Sequence, residues 1–448
     1  MTAQGVMAGI QLRAWVGVAA TAGVLFGCNG GVDEAPDLSK AAGDQGIPNV
    51  PTPPENGPKL GAVAEVVPVL ERPSQTGRQL GYLHAGALVA RSEEPYSKEG
   101  CEGGWYAVRP KGFVCAGDTA TTDLSHPTLA AMAQTPKLEQ TLPYTYARAR
   151  KETPIYERDT DKDNAVKEVG KLRPRSTLAI VGSWSALDPE GKMQRLGLTT
   201  NGRFVRATDL EPSTGSEFRG VAVDGKNDLP LGFIVKRGIR FWEVEKGEAD
   251  KLGKLDYHTI LTLTGRFRTV GPLKYWATTD NKYVRHRDVT AVRKRNTYPD
   301  FAVADQKWID VSIITGSAVF YEGRKPVFAT LVSVGRDRLG DPQTSASTAQ
   351  GTFDVVGKHI TAAKLDPKSA EDYHETYDLP WAIELSSGQL IHGATWHDRF
   401  GIEHGKGNIQ LSPADAARTW AWVEPDVPAG WHGVTGPAER KTIVVVRK

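Results

Sequence analysis

Between Ile391 and Ala416 the chain concentrates side chains able to move protons or attack a carbonyl: His392, His397, Asp398, His404, Lys406 and Ser412. Imidazole titrates close to neutral pH and serves as a general base when a nucleophile lies within hydrogen-bond reach. This stretch offers poor nucleophiles. Asn408 carries a delocalised amide lone pair and forms no anion near neutrality. Lys406 could attack as a free amine only if burial lowered its pKa. Ser412 precedes Pro413 and is better explained as a helix cap. The spacing of the histidines and Asp398 fits no zinc signature, so no metal is expected. The stretch holds a base with no evident nucleophile beside it.

The elements that must position these residues begin near Trp308. Ile309, Val311 and Ile313 alternate with Asp310 and Ser312, the period of a strand. Glu322-Gly323-Arg324-Lys325 turns the chain, and Pro326 to Val334 returns. Gly351–Val355 and Thr442–Val446 read as further strands. One helix is expected from Ser412 to about Val423, with Ser412 as N-cap, Pro413 in its first turn and Asp415 completing a capping box. Residues 303–448 are expected to form a separate domain.

At 448 residues the chain suggests three or four domains. Its 55 basic and 53 acidic residues nearly cancel, so nothing in the overall charge points to nucleic acid or another polyanion. Abundant glycine, proline and closely spaced aromatics favour strands and turns, giving a mainly β fold with few helices. Arg13 and the apolar run 14–27 read as an export signal too short to span a membrane comfortably. The run ends Leu25-Phe26-Gly27-Cys28, which resembles a bacterial lipobox and implies a lipid anchor on Cys28 and a signal peptide over 1–28. Asn29 in place of Asp favours the outer membrane, facing the periplasm. Cys101 and Cys115 are expected to form a disulfide in an exported protein, the alternative being two free buried thiols.

Residues 29–58, rich in proline, glycine and acidic residues, read as a disordered tether. Three segments of similar size follow, at 59–125, 140–215 and 228–295. Their shared rhythm includes Leu80-Gly81-Tyr82-Leu83, Val169-Gly170-Lys171-Leu172 and Leu252-Gly253-Lys254-Leu255, and each closes on a short strand. The rhythm resembles the bacterial SH3-like domains of envelope proteins, which implies tandem small barrels. A set of generic hairpins within one larger β domain is the alternative.

The C-terminal residues resemble the L,D-transpeptidase catalytic domain (YkuD-like). The resemblance is carried by Trp308-Ile309-Asp310-Val311, Phe328 to Gly335, Gln350-Gly351-Thr352-Phe353, Leu379-Pro380-Trp381, Ile391-His392-Gly393, Trp396-His397-Asp398, Phe400-Gly401 and Leu411 to Ala416. It implies a β-sandwich acting on peptidoglycan stem peptides, with no cofactor. In that family a cysteine thiolate attacks the stem peptide and a histidine takes its proton. Carried over residue by residue, His392 holds the base position. Lys406 holds that of a second histidine, Gly407 keeps its glycine, and Asn408 stands at the nucleophile. Trp396, His397 and Gln410 fall in the substrate-binding region. The resemblance therefore implies an envelope lipoprotein that binds stem peptides, scaffolds or regulates, without conventional cysteine catalysis. The alternatives are an active transpeptidase or carboxypeptidase making 3–3 crosslinks with a noncanonical nucleophile, and a protein whose small barrels do the work.

Overall fold

A computed structural model describes residues 50–362, 376–436 and 440–448. The export signal, Cys28 and the tether up to residue 49 lie outside these residues. Strands dominate, and two α-helices occur among the described residues, Pro127–Ala131 and Pro413–Trp422.

Three consecutive units each contain seven strands, running between Lys59 and Thr121, Thr145 and Pro212, and Leu231 and Val292. Numbered within the unit, the second and third have the same order across the sheet: third, second, sixth, fifth, fourth, first, seventh. The first unit has the same order in two pieces, joined between its fourth and fifth strands by the bridge of Arg91 with Val108. A disulfide links Cys101 to Cys115, with Cα atoms 5.8 Å apart. Residues 50–58, expected in the tether, lie along the first unit instead: the Thr52 hydroxyl donates to the Pro110 carbonyl at 3.2 Å, and Arg109 donates to that of Pro53 at 3.2 Å.

In the C-terminal domain the labelled strands are β1 (Lys307–Ser312), β2 (Ser317–Glu322), β3 (Lys325–Leu331), β4 (Gly351–Ala362), β5 (Leu379–Leu385), β6 (Leu390–Gly393), β7 (Ile409–Leu411), β8 (Gly433–Thr435) and β9 (Ile443–Arg447), and the helix Pro413–Trp422 is α1. One layer runs β3-β2-β1-β9-β4, with β1 and β9 parallel. A register shift between Val355 and Gly357 carries β4 into the second layer, where it pairs with β5 on one side and β8 on the other. β6 then pairs with β5, and β7 runs parallel to β6. Ile309, Val311, Phe320, Phe328, Ile383, Ile391, Ile409 and Leu411 meet between the layers, with Trp420 of α1 among them. Burial of this apolar surface is the main force holding the layers together.

The C-terminal domain shares its cores with the small units. Tyr144, Tyr146, Val181 and Leu198 of the second unit belong to the same core as Ile309 and Ile383. Leu231, Phe233 and Val292 of the third pack with Trp308, Tyr321 and Phe400. The first unit takes Trp431 and Val434 into its own core, and its strand Gln79–Leu83 pairs with β8. A further two-residue strand, Val221–Ala222, pairs with the outer edge of β3. The cause is visible in β1, where the residues between the apolar positions are buried too. Trp308 is fully buried under the third unit, and Asp310 is held by Arg295 at 2.7 Å and Arg447 at 2.8 Å. A carboxylate so placed needs both arginines to offset its lost hydration.

Candidate active site

The parallel pairing of β6 and β7 sets His392 opposite Gln410. His392 is 1% exposed, and its Nδ1–H donates to the Gly393 carbonyl at 2.9 Å. That bond leaves Nε2 as the acceptor, buried and with no hydrogen-bond partner. Burial drives its pKa down to about 4, so at neutral pH the ring is an uncharged base. Trp396 stacks beside it, ring centroids 5.9 Å apart. The Trp396 Nε1 and the Thr395 hydroxyl are also buried without partners. Three unpaired polar groups close together in sequence are uncommon in a packed interior, where nearly all are satisfied.

His397 and Gln410 form the other half of the site. His397 Nε2–H donates to Gln410 Oε1 at 2.5 Å, and its Nδ1 accepts from the Arg399 N–H at 3.0 Å. Burial, with His404 next in effect, pulls its pKa down to about 3. The loop between these histidines is held by distant parts of the chain. The Tyr257 hydroxyl donates to the Asp398 carbonyl at 2.9 Å, the Asp398 carboxylate accepts from Ser216 and faces His258 Nδ1 at 3.5 Å, and Phe400 packs on Phe218.

Asn408 has a scaffolding contact. Its Oδ1 accepts the Leu390 N–H at 3.0 Å, tying the start of β6 to the loop before β7. Next to it Gln389 Nε2 donates to the Gly407 carbonyl at 2.8 Å. Gly407 has φ +101°, and a Cβ there would lie 3.0 Å from the Ser347 carbonyl, so conformation and space both favour glycine. Lys406 is exposed, without the burial an amine nucleophile requires. Ser412 caps α1 as expected, accepting from the Asp415 N–H at 3.2 Å. The capping-box reading of Asp415 is corrected: its carboxylate accepts the Gly220 N–H at 2.9 Å and the Thr330 hydroxyl. Its role is to tie the segment ahead of the third unit to β3.

The structure thus brings His392, Trp396, His397 and Gln410 together and places Asn408 and Gly407 on the bordering loop. Sequence reasoning missed Gln389 and Thr395, which carry no recognisable spacing. It missed Ser216, Tyr257 and His258 because they lie more than a hundred residues away. Asn408→Ala is expected to cost about 1 kcal/mol in urea unfolding, whereas Asn408→Asp, which keeps the acceptor, costs about half that or less. An alanine variant as stable as the parent would remove the scaffolding role.

Fold and site define a β-sandwich domain with a histidine-centred site on the two paired strands that end its second layer. Residues 306–446, about a third of the chain, match the family model of the L,D-transpeptidase catalytic domain (YkuD). Solved structures similar to the chain include L,D-transpeptidases from three organisms. That of Stackebrandtia nassauensis is 17% identical, covering 32% of this chain and 56% of that one, with TM-score 0.24. That of Xylanimonas cellulosilytica is 16% identical, covering 34% and 64%, with TM-score 0.23. That of Mycobacterium smegmatis is 14% identical, covering 48% and 84%, with TM-score 0.25. The chain therefore spans less than two thirds of the first two, and the likeness to this family rests on the match over residues 306–446. No curated protein matched the chain.

Proposed function

We propose that this chain is an envelope lipoprotein that binds peptidoglycan stem peptides without cleaving them by cysteine catalysis. The anchor is Cys28, the three small units are SH3-like barrels, and the membrane is the outer one, facing the periplasm. The observation that carries the reading is the Asn408 amide. It stands where the resemblance puts the thiolate, and its oxygen is engaged by the Leu390 N–H. The other two cysteines are joined to each other in the first unit. On the neighbouring strand and the loop after it, His392 Nε2, Trp396 Nε1 and the Thr395 hydroxyl are buried without partners, hydrogen-bonding capacity that the fold itself does not use. The complex would then scaffold the wall or regulate an active relative.

The test incubates the purified full-length protein with a disaccharide-tetrapeptide and reads products by mass spectrometry. Removing the nucleophile of a well-studied hydrolase costs about a million-fold in turnover, so neither crosslinked dimer nor released D-alanine is expected. Either product, abolished by His392→Ala, would overturn the inactive reading in favour of a noncanonical nucleophile. Sedimentation with purified sacculi is expected to pellet the protein, and His392→Ala to weaken that retention. Failure to pellet removes the binding reading.

A further inference from the structure

The three seven-stranded units share an architecture but not a charge. Residues 59–125 hold 7 Lys and Arg against 8 Asp and Glu, residues 140–215 hold 13 against 10, and residues 228–295 hold 15 against 8. The near-balance over the whole chain conceals this gradient. The second unit serves as an internal control, because several of its cations are neutralised. Arg148 and Arg150 pair with Glu211, Lys151 with Asp209, Lys167 with Glu157, Lys171 with Glu152, and Arg206 with Asp188. In the third unit, among the described residues, lysine and arginine ion pairs within 4.0 Å involve only Lys282, with Asp280, and Arg295, with Asp310, while His258 faces Asp398. The other cations leave a strong positive field facing solvent.

The cations lie on both faces of a protruding hairpin that carries one exposed aromatic ring. The strands Ile260–Val270 and Leu273–Thr278 form a hairpin on which residues 264–269 are exposed, with Phe267 opposite Trp276 and Thr269 opposite Lys274. Phe267 is 43% exposed, and it is the sole large apolar side chain in this unit that exposed. It does not project: its ring lies against Trp276 with centroids 3.9 Å apart and an interplanar angle of 36°. The Arg293 guanidinium lies 4.8 Å from the Trp276 ring centroid, and His286 also stacks on it. Trp276 is itself buried, and its Nε1 has no partner. By alternation Lys274 shares the Phe267 face, while Arg266 and Arg268 flank it on the other.

A bilayer surface calls for several projecting apolar side chains, and single-stranded nucleic acid for a series of plates that stack successive bases. One supported ring among unpaired cations suits a polymer whose sugar rings present an apolar face and whose substituents are anionic. We propose that the third unit binds an acidic polysaccharide across residues 264–276 and Arg293. This is independent of the stem-peptide reading, since it involves neither His392 nor its neighbours.

The test measures binding of the full chain to polygalacturonate, with neutral dextran, phosphatidylglycerol–phosphatidylcholine vesicles and oligothymidylate as competing probes. Binding to polygalacturonate is expected, with dextran inert. Raising salt from about 50 to about 200 mM should weaken it at least about tenfold if several anionic groups are engaged together. The triple variant Arg266→Glu, Lys274→Glu, Arg268→Glu should lose about tenfold or more at low salt. Phe267→Ala should lose about fivefold with the salt slope unchanged, as a lost stacking contact of about 1 kcal/mol requires. Lys192→Glu with Arg195→Glu in the second unit should change nothing. Absence of binding, or binding that the triple variant keeps, overturns the proposal. Equal or tighter binding to vesicles or oligothymidylate overturns the polysaccharide assignment.

Discussion

Gly81→Val is expected to undock the first unit, lowering stability by several kcal/mol. At this position a Cβ would stand 2.3 Å from the Gly433 carbonyl oxygen and under 3 Å from the Trp431 ring. Backbone lies on the far side of that contact, so no side-chain rotation relieves it. The strand pairing of Gly81 with Val434 and Tyr82 with Gly433 must open. Trp431, 3% exposed and part of the first unit's core, is then withdrawn from it, and its bond to the Arg109 carbonyl is lost. Removal of a buried tryptophan costs about 3–5 kcal/mol, which sets the scale. The repeat supplies a control. Gly253 occupies the matching position of the third unit with nothing within 4 Å of its Cβ site, so Gly253→Val should shift stability by about 0.5 kcal/mol or less. Thermal melts, tryptophan emission and proteolysis near residues 428–436 provide the readout. Equal melting temperatures for the two variants would mean that the seam does not hold the first unit.

Acid should destabilise the fold well before ordinary carboxylates titrate. Burial pulls His84 and His392 down to about 4 and His397 to about 3, and pushes His432 well below its ordinary value. A histidine with a lowered folded pKa binds its proton more readily when unfolded. Its stabilisation is complete above about 6.5 and is lost as pH falls towards the folded value. Each group is worth up to about 3 kcal/mol across that interval. Asp378 and Asp415 oppose the trend, since burial raises both to about 6 and protonation favours their folded form. Burial lowers His258 as well, so five histidines act against two carboxyls, the melting temperature is expected to fall between pH 6.5 and 4.5, and His397→Asn should flatten the slope. A melting temperature that holds or rises over this interval would mean that these imidazoles are not buried neutral in the folded state.

Features written in neighbouring residues were legible in the sequence. The alternation of β1, the turn before β3 and the Ser412-Pro413 start of α1 all act within a few positions of themselves. The same residues also have partners that no local pattern encodes. Asp415 sits where a capping box predicts, yet its carboxylate reaches Gly220, 195 residues away. Asp310 alternates as an outward-facing residue should, yet it is buried because the segment carrying Arg295 closes over it. At the site, residue types were readable and contacts were not. His392 meets Gln410 only because β6 and β7 run parallel, and no feature of Asn408 announces that its oxygen holds Leu390. The glycine shared by the three units reads in the sequence as a repeat mark. Its close contact with Trp431 in the first unit alone appears only when the units are docked.

The seam at β8 also bears on how the chain is checked during its manufacture. The first unit completes its interior with Trp431, whose indole reaches Arg109 across 322 residues of chain. Synthesis delivers the strand Gln79–Leu83 long before β8, so this strand must wait with an unpaired edge, open to proteases and wrong partners. A molecule cut short, or stalled before residue 431, keeps that edge exposed. Molecules that carry the last strands can seal it, and resistance to proteolysis becomes a test of having been made in full.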